Sequence, residues 1–249
     1  MAQQELSIII ITLNEQHTLP RLLGDLKSQS WKDFEIIHVD SRSKDETVSV
    51  SRAASGEFKH FHIIEMKHRG VSLGRNVGAA AARGKRLLFL DADTRLHPEF
   101  LARSVAELED RELAVAGVCM DGTGLPMLMR LGYRLCNICI RTSARFFPTA
   151  VGACLFSTPE MHRRTGGFDE ALSLCEDCNY VLKAYKENSS AYGVLKESFT
   201  FDPRRLQQDG LFSTGLIYVK ANLRRFFVGE LTRNEIAYPF GHYKQDAPR

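Results

Sequence analysis

Through residue 120 the chain repeats one pattern: a short apolar run rich in β-branched residues, then a longer stretch with helical spacing. That rhythm restricts the fold more than any other feature, because strands alternating with helices build βαβ units and a largely parallel sheet. The expected strands are Leu6–Thr12, Phe34–Asp40, Phe61–Met66, Arg86–Asp91 and Leu113–Met120. Helices are expected at 18–30, 44–55, 72–83 and 98–111, the last with Pro98 in its first turn. This portion reads as one doubly wound unit. Beyond it come an apolar, Arg-rich stretch at 125–147, a strand-like run Val151–Ser157, a turn at Gly166-Gly167-Phe168-Asp169 and a helix at 176–188. No linker, repeat or low-complexity segment separates the two parts, so 1–249 is expected to be a single domain divided near residue 120.

With 249 residues, 44% of them hydrophobic and 25% charged, the chain has the composition of a globular protein rather than of a disordered, collagenous or disulfide-scaffold one. Its longest apolar stretches, Leu6–Leu13 and Ala114–Met120, fall short of the roughly 20 residues needed to span a bilayer. The first residues carry Glu5 in place of a basic leader region, and the expectation is a cytoplasmic protein. The net charge of +3 is too mild for a nucleic-acid binder, and no nucleic-acid motif occurs. Charge is segregated: residues 124–165 hold six Lys/Arg against one acid and 203–249 hold eight against four, around an acidic stretch at 166–202 with three against seven. Such basic segments suit anionic ligands or a membrane surface, or are simply solvated. The pairs Cys136/Cys139 and Cys175/Cys178 are too far apart for a zinc ribbon, so the cysteines read as buried free thiols.

Polar residues follow three strands directly: Thr12-Leu13-Asn14-Glu15, Asp40-Ser41-Arg42-Ser43 and Asp91-Ala92-Asp93. The carboxyl ends of parallel strands are where open α/β sheets bind ligands, so the three would line one crevice. Asp91 and Asp93 bring two carboxylates within reach of one point, where a hard divalent cation relieves their repulsion; the alternative is a turn with Asp93 as a helix cap. Arg69-Gly70-Val71-Ser72-Leu73-Gly74-Arg75-Asn76 opens an alanine-rich helix that Ser72 would cap, a place for an anion such as a diphosphate or merely a well-capped helix. Glu176 and Asp177 start another helix, where acids are commonplace; a general base there would have to face the crevice.

In this order the pieces resemble glycosyltransferase family 2, inverting enzymes of the GT-A fold. The resemblance runs from Leu6 to Asp177 and more loosely to Gly210, through the opening strand Ser7–Glu15, His38–Thr47, Gly70–Asn76, the metal motif Phe89–Asp93, and Gly166–Glu170 with Glu176-Asp177. It implies a nucleotide-sugar-binding half at 1–120 and, at 121–249, an acceptor-binding half with a C-terminal helical tail. Asp40 would contact the base or ribose of a UDP- or GDP-linked sugar, with Thr12, Asn14, Glu15 and Asp45 nearby. Gly70, Arg75 and Asn76 would border the nucleotide and diphosphate. Asp93 would be the main ligand of Mg²⁺ or Mn²⁺, assisted by Asp91 across Ala92. Asp177, beside Glu176, would take the proton from an acceptor hydroxyl.

The QxxRW motif of processive polysaccharide synthases is missing, since the one tryptophan is Trp31, and the resemblance therefore implies one transfer per encounter. Phe201–Gly210 is similar to a late segment of a small soluble subgroup, in which Arg204 or Arg205 would close over the diphosphate; an exposed basic loop is the other reading. Arg130, Arg134, Arg141 and Arg145 share one face of a helix over 125–147, which either seals the sheet or lies on the inner face of an anionic membrane and meets a lipid-linked acceptor. Phe212–Phe227 invites the same two readings. Two other functions stand beside sugar transfer: a sugar nucleotidyltransferase, whose glycine-rich loop after the first strand is missing, and a catalytically silent nucleotide-sugar-binding protein.

Overall fold

The computed structural model describes residues 4–172, 174–201, 220–222 and 224–230. Eight strands form one sheet in the order β3-β2-β1-β4-β7-β6-β8-β5. They are β1 (Leu6–Thr12), β2 (Phe34–Asp40), β3 (Phe61–Glu65), β4 (Arg86–Asp91), β5 (Thr94–Arg95), β6 (Val115–Asp121), β7 (Cys154–Ser157) and β8 (Tyr192–Phe201). The helices are α1 (Leu19–Lys27), α2 (Thr47–Ser55), α3 (Val71–Ala81), α4 (Phe100–Asp110), α5 (Met127–Ser143), α6 (Pro159–Arg164) and α7 (Glu176–Glu187).

The first four strands of the order are parallel, as the βαβ rhythm predicts. Central parallel strands are buried on both faces, which is why β1 and β2 are near-continuous apolar runs. Successive residues still part to opposite sides: Ile8 and Ile10 join Leu22, Leu26 and Phe100 in one core, and Ile9 joins Val39, Phe89, Phe168 and Tyr180 in the other. α1 buries Leu19, Leu22, Leu23 and Leu26, one stripe at helical spacing. α3 comes close to the sheet through glycine: a Cβ on Gly78 would lie 2.3 Å from Ile9 Cγ2.

Beyond β4 the sheet is mixed, and here the expectation of a doubly wound unit ending at residue 120 is corrected. β7 inserts antiparallel between β4 and β6, so β6 pairs with β7 and, in parallel, with β8. The two parts of the chain thus share one sheet. Element ends shift as well. Loop hydrogen bonds delay α2 to Thr47, and α4 starts at Phe100, two residues after Pro98, whose carbonyl accepts the Ser30 N–H at 2.9 Å. α3 begins at Val71 with Gly70 before it, so Ser72 sits inside the first turn and does not cap. Among the described residues no helix is long and apolar enough to cross a membrane. Cys119, Cys154, Cys175 and Cys178 are buried, but Cys136 and Cys139 are exposed on α5, against the expectation of buried thiols throughout.

Candidate active site

Register fixes the site's first row. In the parallel ladder Thr12 stands opposite Asp40 and Ile11 opposite Asp91, so the polar ends of β2, β1 and β4 share one edge. Asp40 is buried and its carboxylate is engaged through both oxygens: Oδ1 accepts from Thr12 Oγ1 at 2.8 Å and Ser43 Oγ at 2.5 Å, and Oδ2 accepts the Ser43 N–H at 2.8 Å. Thr12 gives its one hydroxyl proton to Asp40, so His38 Nε2, 2.8 Å from the same oxygen, must be the donor in that contact. Burial pushes the His38 imidazole down to about 4, against the pull of Asp40, and it is therefore neutral near pH 7.

Asn14, Glu15 and Asp45 knit the two loops above this row. The Asn14 N–H donates to Ser43 Oγ at 2.8 Å, and Asn14 Oδ1 accepts the Lys44 N–H at 2.8 Å. Asp45 receives the Gln16 and Thr47 N–H groups at 3.2 and 3.1 Å, while the Glu15 N–H donates to Thr47 Oγ1 at 2.8 Å. The result is a cross-linked platform at the carboxyl ends of β1 and β2.

A second cluster is organised by Arg75 on α3, only 2% exposed. Its Nη1 donates to Glu176 Oε1 at 2.8 Å; its Nη2 donates to Asp91 Oδ1 at 3.1 Å and to the Gly152 carbonyl at 3.0 Å. The guanidinium also lies 5.1 Å over the Phe168 ring. Burial works against its charge, yet Asp91, Glu176 and Asp177 outweigh burial and hold it above its ordinary value. Burial, aided by Asp177, pushes the Glu176 carboxyl up, with Arg75 pulling the other way. Asp177 Oδ2 accepts the Gly152 N–H at 2.6 Å. Unlike Glu176, Asp177 is only partly buried.

One fork therefore draws together Asp91 from the end of β4 and Glu176 from the start of α7. Asp93 and Ala92 follow Asp91 in a turn and are both buried. Asn76 does a different job from Arg75: its amide donates to the Phe168 carbonyl at 2.9 Å and Glu170 at 2.9 Å and accepts the Phe168 N–H at 2.9 Å, which fastens the Gly166-Gly167 turn to α3. That turn needs both glycines, at φ +73° and +71°. Gly70 precedes α3 in extended backbone, its carbonyl accepting the Gly74 N–H. Arg204 and Arg205 lie outside the described residues.

Two residues carry structural weight at the site that the sequence did not announce. Gly152 touches Arg75 with its carbonyl and Asp177 with its N–H, and a Cβ there would sit 2.9 Å from both side chains. A glycine at the head of a strand-like run is the available signal for such a close approach. His38 is an imidazole inside an apolar strand, which looks like any satisfied core residue.

The residues present fit a divalent cation of the Mg²⁺ or Mn²⁺ type. Asp91 and Asp93 offer hard oxygens, although among the described residues no group of three His, Cys, Asp or Glu side chains gathers that could hold a metal ion. Carboxylate oxygens are the ligand type that Mg²⁺ and Mn²⁺ take together with water and substrate phosphates; Asp91 Oδ1 also accepts from Arg75 Nη2 at 3.1 Å.

The chain is 37% identical over 128 residues to a PGL/p-HBAD biosynthesis glycosyltransferase of Mycobacterium tuberculosis, covering 49% of this chain and 50% of the relative. It spans from about a quarter to two thirds of the length of the curated relatives it matches. Among solved structures it is similar to the mannosyltransferase PcManGT of Pyrobaculum calidifontis in complex with GDP-Man and Mn²⁺, with TM-score 0.69 and 18% identity over 90% of this chain and 65% of that one. It is also similar to S. aureus TarS in complex with UDP-GlcNAc, with TM-score 0.64 and 20% identity over 80% of this chain and 59% of that one. The sequence model of glycosyl transferase family 2 matches residues 7–159, more than half of the chain, which accordingly belongs to that family and has the GT-A fold.

Proposed function

We propose that this chain transfers one sugar from a nucleoside-diphosphate sugar to a hydroxyl acceptor, with inversion and with a divalent cation bound. The observation that carries the reading is the Arg75 fork. It ties the carboxyl edge that would receive the donor to the helix start that presents Asp177, and it leaves Asp177 the reachable member of its acidic pair. The likeness to proteins bound to UDP-GlcNAc and to GDP-Man with Mn²⁺ supports a UDP- or GDP-linked donor.

The nucleoside would rest on the loop platform over Thr12 and Asp40, with Asn14, Glu15 and Asp45 stiffening it and Gly70 and Asn76 bordering the cleft. Asp93, helped by Asp91, would hold the cation, which when bound stabilises negative charge developing on the departing diphosphate. Asp177 would accept the proton of the acceptor hydroxyl as its oxygen attacks the anomeric carbon from the face opposite the diphosphate. Its carboxylate keeps lone pairs for this beyond those used by the Gly152 and Cys178 N–H groups. Glu176, buried against Arg75, is a positioning residue. Arg204 and Arg205 are proposed to close on the diphosphate.

The test is release of nucleoside diphosphate from UDP- and GDP-sugars with and without Mn²⁺, alongside thermal shifts. The expected result is cation-dependent turnover that falls about 10²–10⁴-fold in Asp177→Asn while its donor-induced shift persists. Asp93→Ala should lose the Mn²⁺-dependent part of the shift. Full turnover in Asp177→Asn would remove the base, and an unchanged Mn²⁺-dependent shift in Asp93→Ala would remove the metal site. A donor shift without turnover in the wild type would favour a silent binding protein.

A further inference from the structure

α5 is apolar on two sides. Met129, Tyr133 and Ile140 are buried and fasten it to the domain, as expected of a helix that seals the sheet. On the opposite side Leu128, Leu131, Leu135 and Ile138 recur every three or four residues, a single stripe, and are 53%, 51%, 56% and 56% exposed. Met127, at the start of the helix, is 80% exposed. Four exposed arginines, Arg130, Arg134, Arg141 and Arg145, form a row about 90° round the helix from that stripe. No acidic residue occurs anywhere from Gly122 to Pro159.

The apolar surface continues past the helix end. Phe146 is 66% exposed, and Phe147 packs edge-to-face on Phe226 at 5.2 Å, which brings Phe226, Phe227 and Val228, 55%, 76% and 72% exposed, alongside. The arginine row also borders a concavity of about 380 Å³ lined by Arg111, Arg141 and Arg145 with Ser189 and Ser190, and no carboxylate is among its lining residues. Two of its arginines are held by the protein: Arg111 Nη1 donates to Glu107 Oε1 at 2.6 Å and Arg141 Nη2 to the Leu195 carbonyl at 3.0 Å.

We propose that α5 docks this protein on an anionic phospholipid membrane. The stripe enters the boundary between headgroups and acyl chains while the arginines reach lipid phosphates from its flank. An apolar helix face beside a one-signed cationic row is the arrangement that partitions into such an interface, because apolar burial and attraction to anionic lipid then act together. Attraction to anionic lipid accounts for the arginine row as well as for the apolar stripe. The inference is independent of the sugar-transfer reading, and its test needs no catalysis.

The full chain is sedimented with vesicles of phosphatidylcholine alone and with vesicles in which about a third of the lipid is phosphatidylglycerol. The wild type is expected to pellet with the anionic vesicles only, and to be released as salt is raised. Arg130→Gln/Arg134→Gln should weaken partitioning about 25-fold, at about fivefold for each basic residue near the surface. Leu131→Glu/Leu135→Glu should leave the protein in the supernatant with its melting temperature unchanged, since both side chains are half exposed. The proposal is overturned if the wild type ignores anionic vesicles. It is equally overturned if both double variants pellet like the wild type, or if the wild type stays in solution as a dimer that Leu131→Glu/Leu135→Glu splits.

Discussion

Arg75 shows what a single side chain does here: a planar fork with five donors holds two carboxylates and a carbonyl from three parts of the chain. Arg75→Met should cost about 3–5 kcal/mol, because it leaves Glu176 buried without its cation, and a urea midpoint would register the loss. Arg75→Lys keeps the charge without the fork, so it should recover part of the stability while turnover stays low. A Met variant that unfolds at the wild-type midpoint would mean the fork holds nothing together. The acids of this cluster were legible in the sequence because charged residues directly after apolar runs, as in Asp91-Ala92-Asp93, are out of place in a core. Gly152 was not, since what matters there is a missing side chain. The resemblance implies that Arg75 and Asn76 border a diphosphate, and in the fold both also hydrogen-bond protein groups; a sequence shows which residues are polar but not which other polar groups reach them.

At the scale of elements, periodicity foretold strands and helices well and neighbours poorly. β6 is as apolar as a central parallel strand, and nothing in Val115–Asp121 records that β7 would take the place beside β4. α5 is the converse case: its spacing revealed the arginine face, but which apolar residues face the sheet and which face outward emerged only from packing. The glycines of two helices make the same point as a stability test. Gly78 faces Ile9 so closely that Gly78→Ala should force α3 from the sheet at a cost of about 1–3 kcal/mol. Gly24 lies inside α1 with nothing within 4 Å of an added Cβ, so Gly24→Ala should stabilise by about 0.5–1 kcal/mol. Chemical denaturation of the two variants should move the midpoint in opposite directions; movement in the same direction would mean that α3 has room to shift.

For the molecule as a whole, the continuous sheet makes the site depend on both parts of the chain: Asp40 and Asp91 come from its parallel portion, while Gly152 and Asp177 come from segments joined to it through β7 and α7. Whatever loosens the central strands therefore loosens the site, and acid should do so through His38. Its folded value of about 4 lies below the 6.5 of an ordinary imidazole, because it is buried in β2. Between those values the unfolded chain binds a proton that the folded chain refuses, so stability present above pH 6.5 is lost as pH falls toward 4. For His38 alone the loss should reach roughly 2 kcal/mol by about pH 4.5. His38→Gln keeps an N–H donor for Thr12 without a titrating ring, so it should flatten this acid limb while leaving the donor-induced thermal shift at neutral pH intact. His162, lowered to about 4 by burial and then by Lys183, remains in that variant and should supply a residual slope. Unfolding free energies of wild type and His38→Gln between about pH 7.5 and 4.5 decide the matter: parallel curves would mean that the buried imidazole accepts its proton without disturbing the fold.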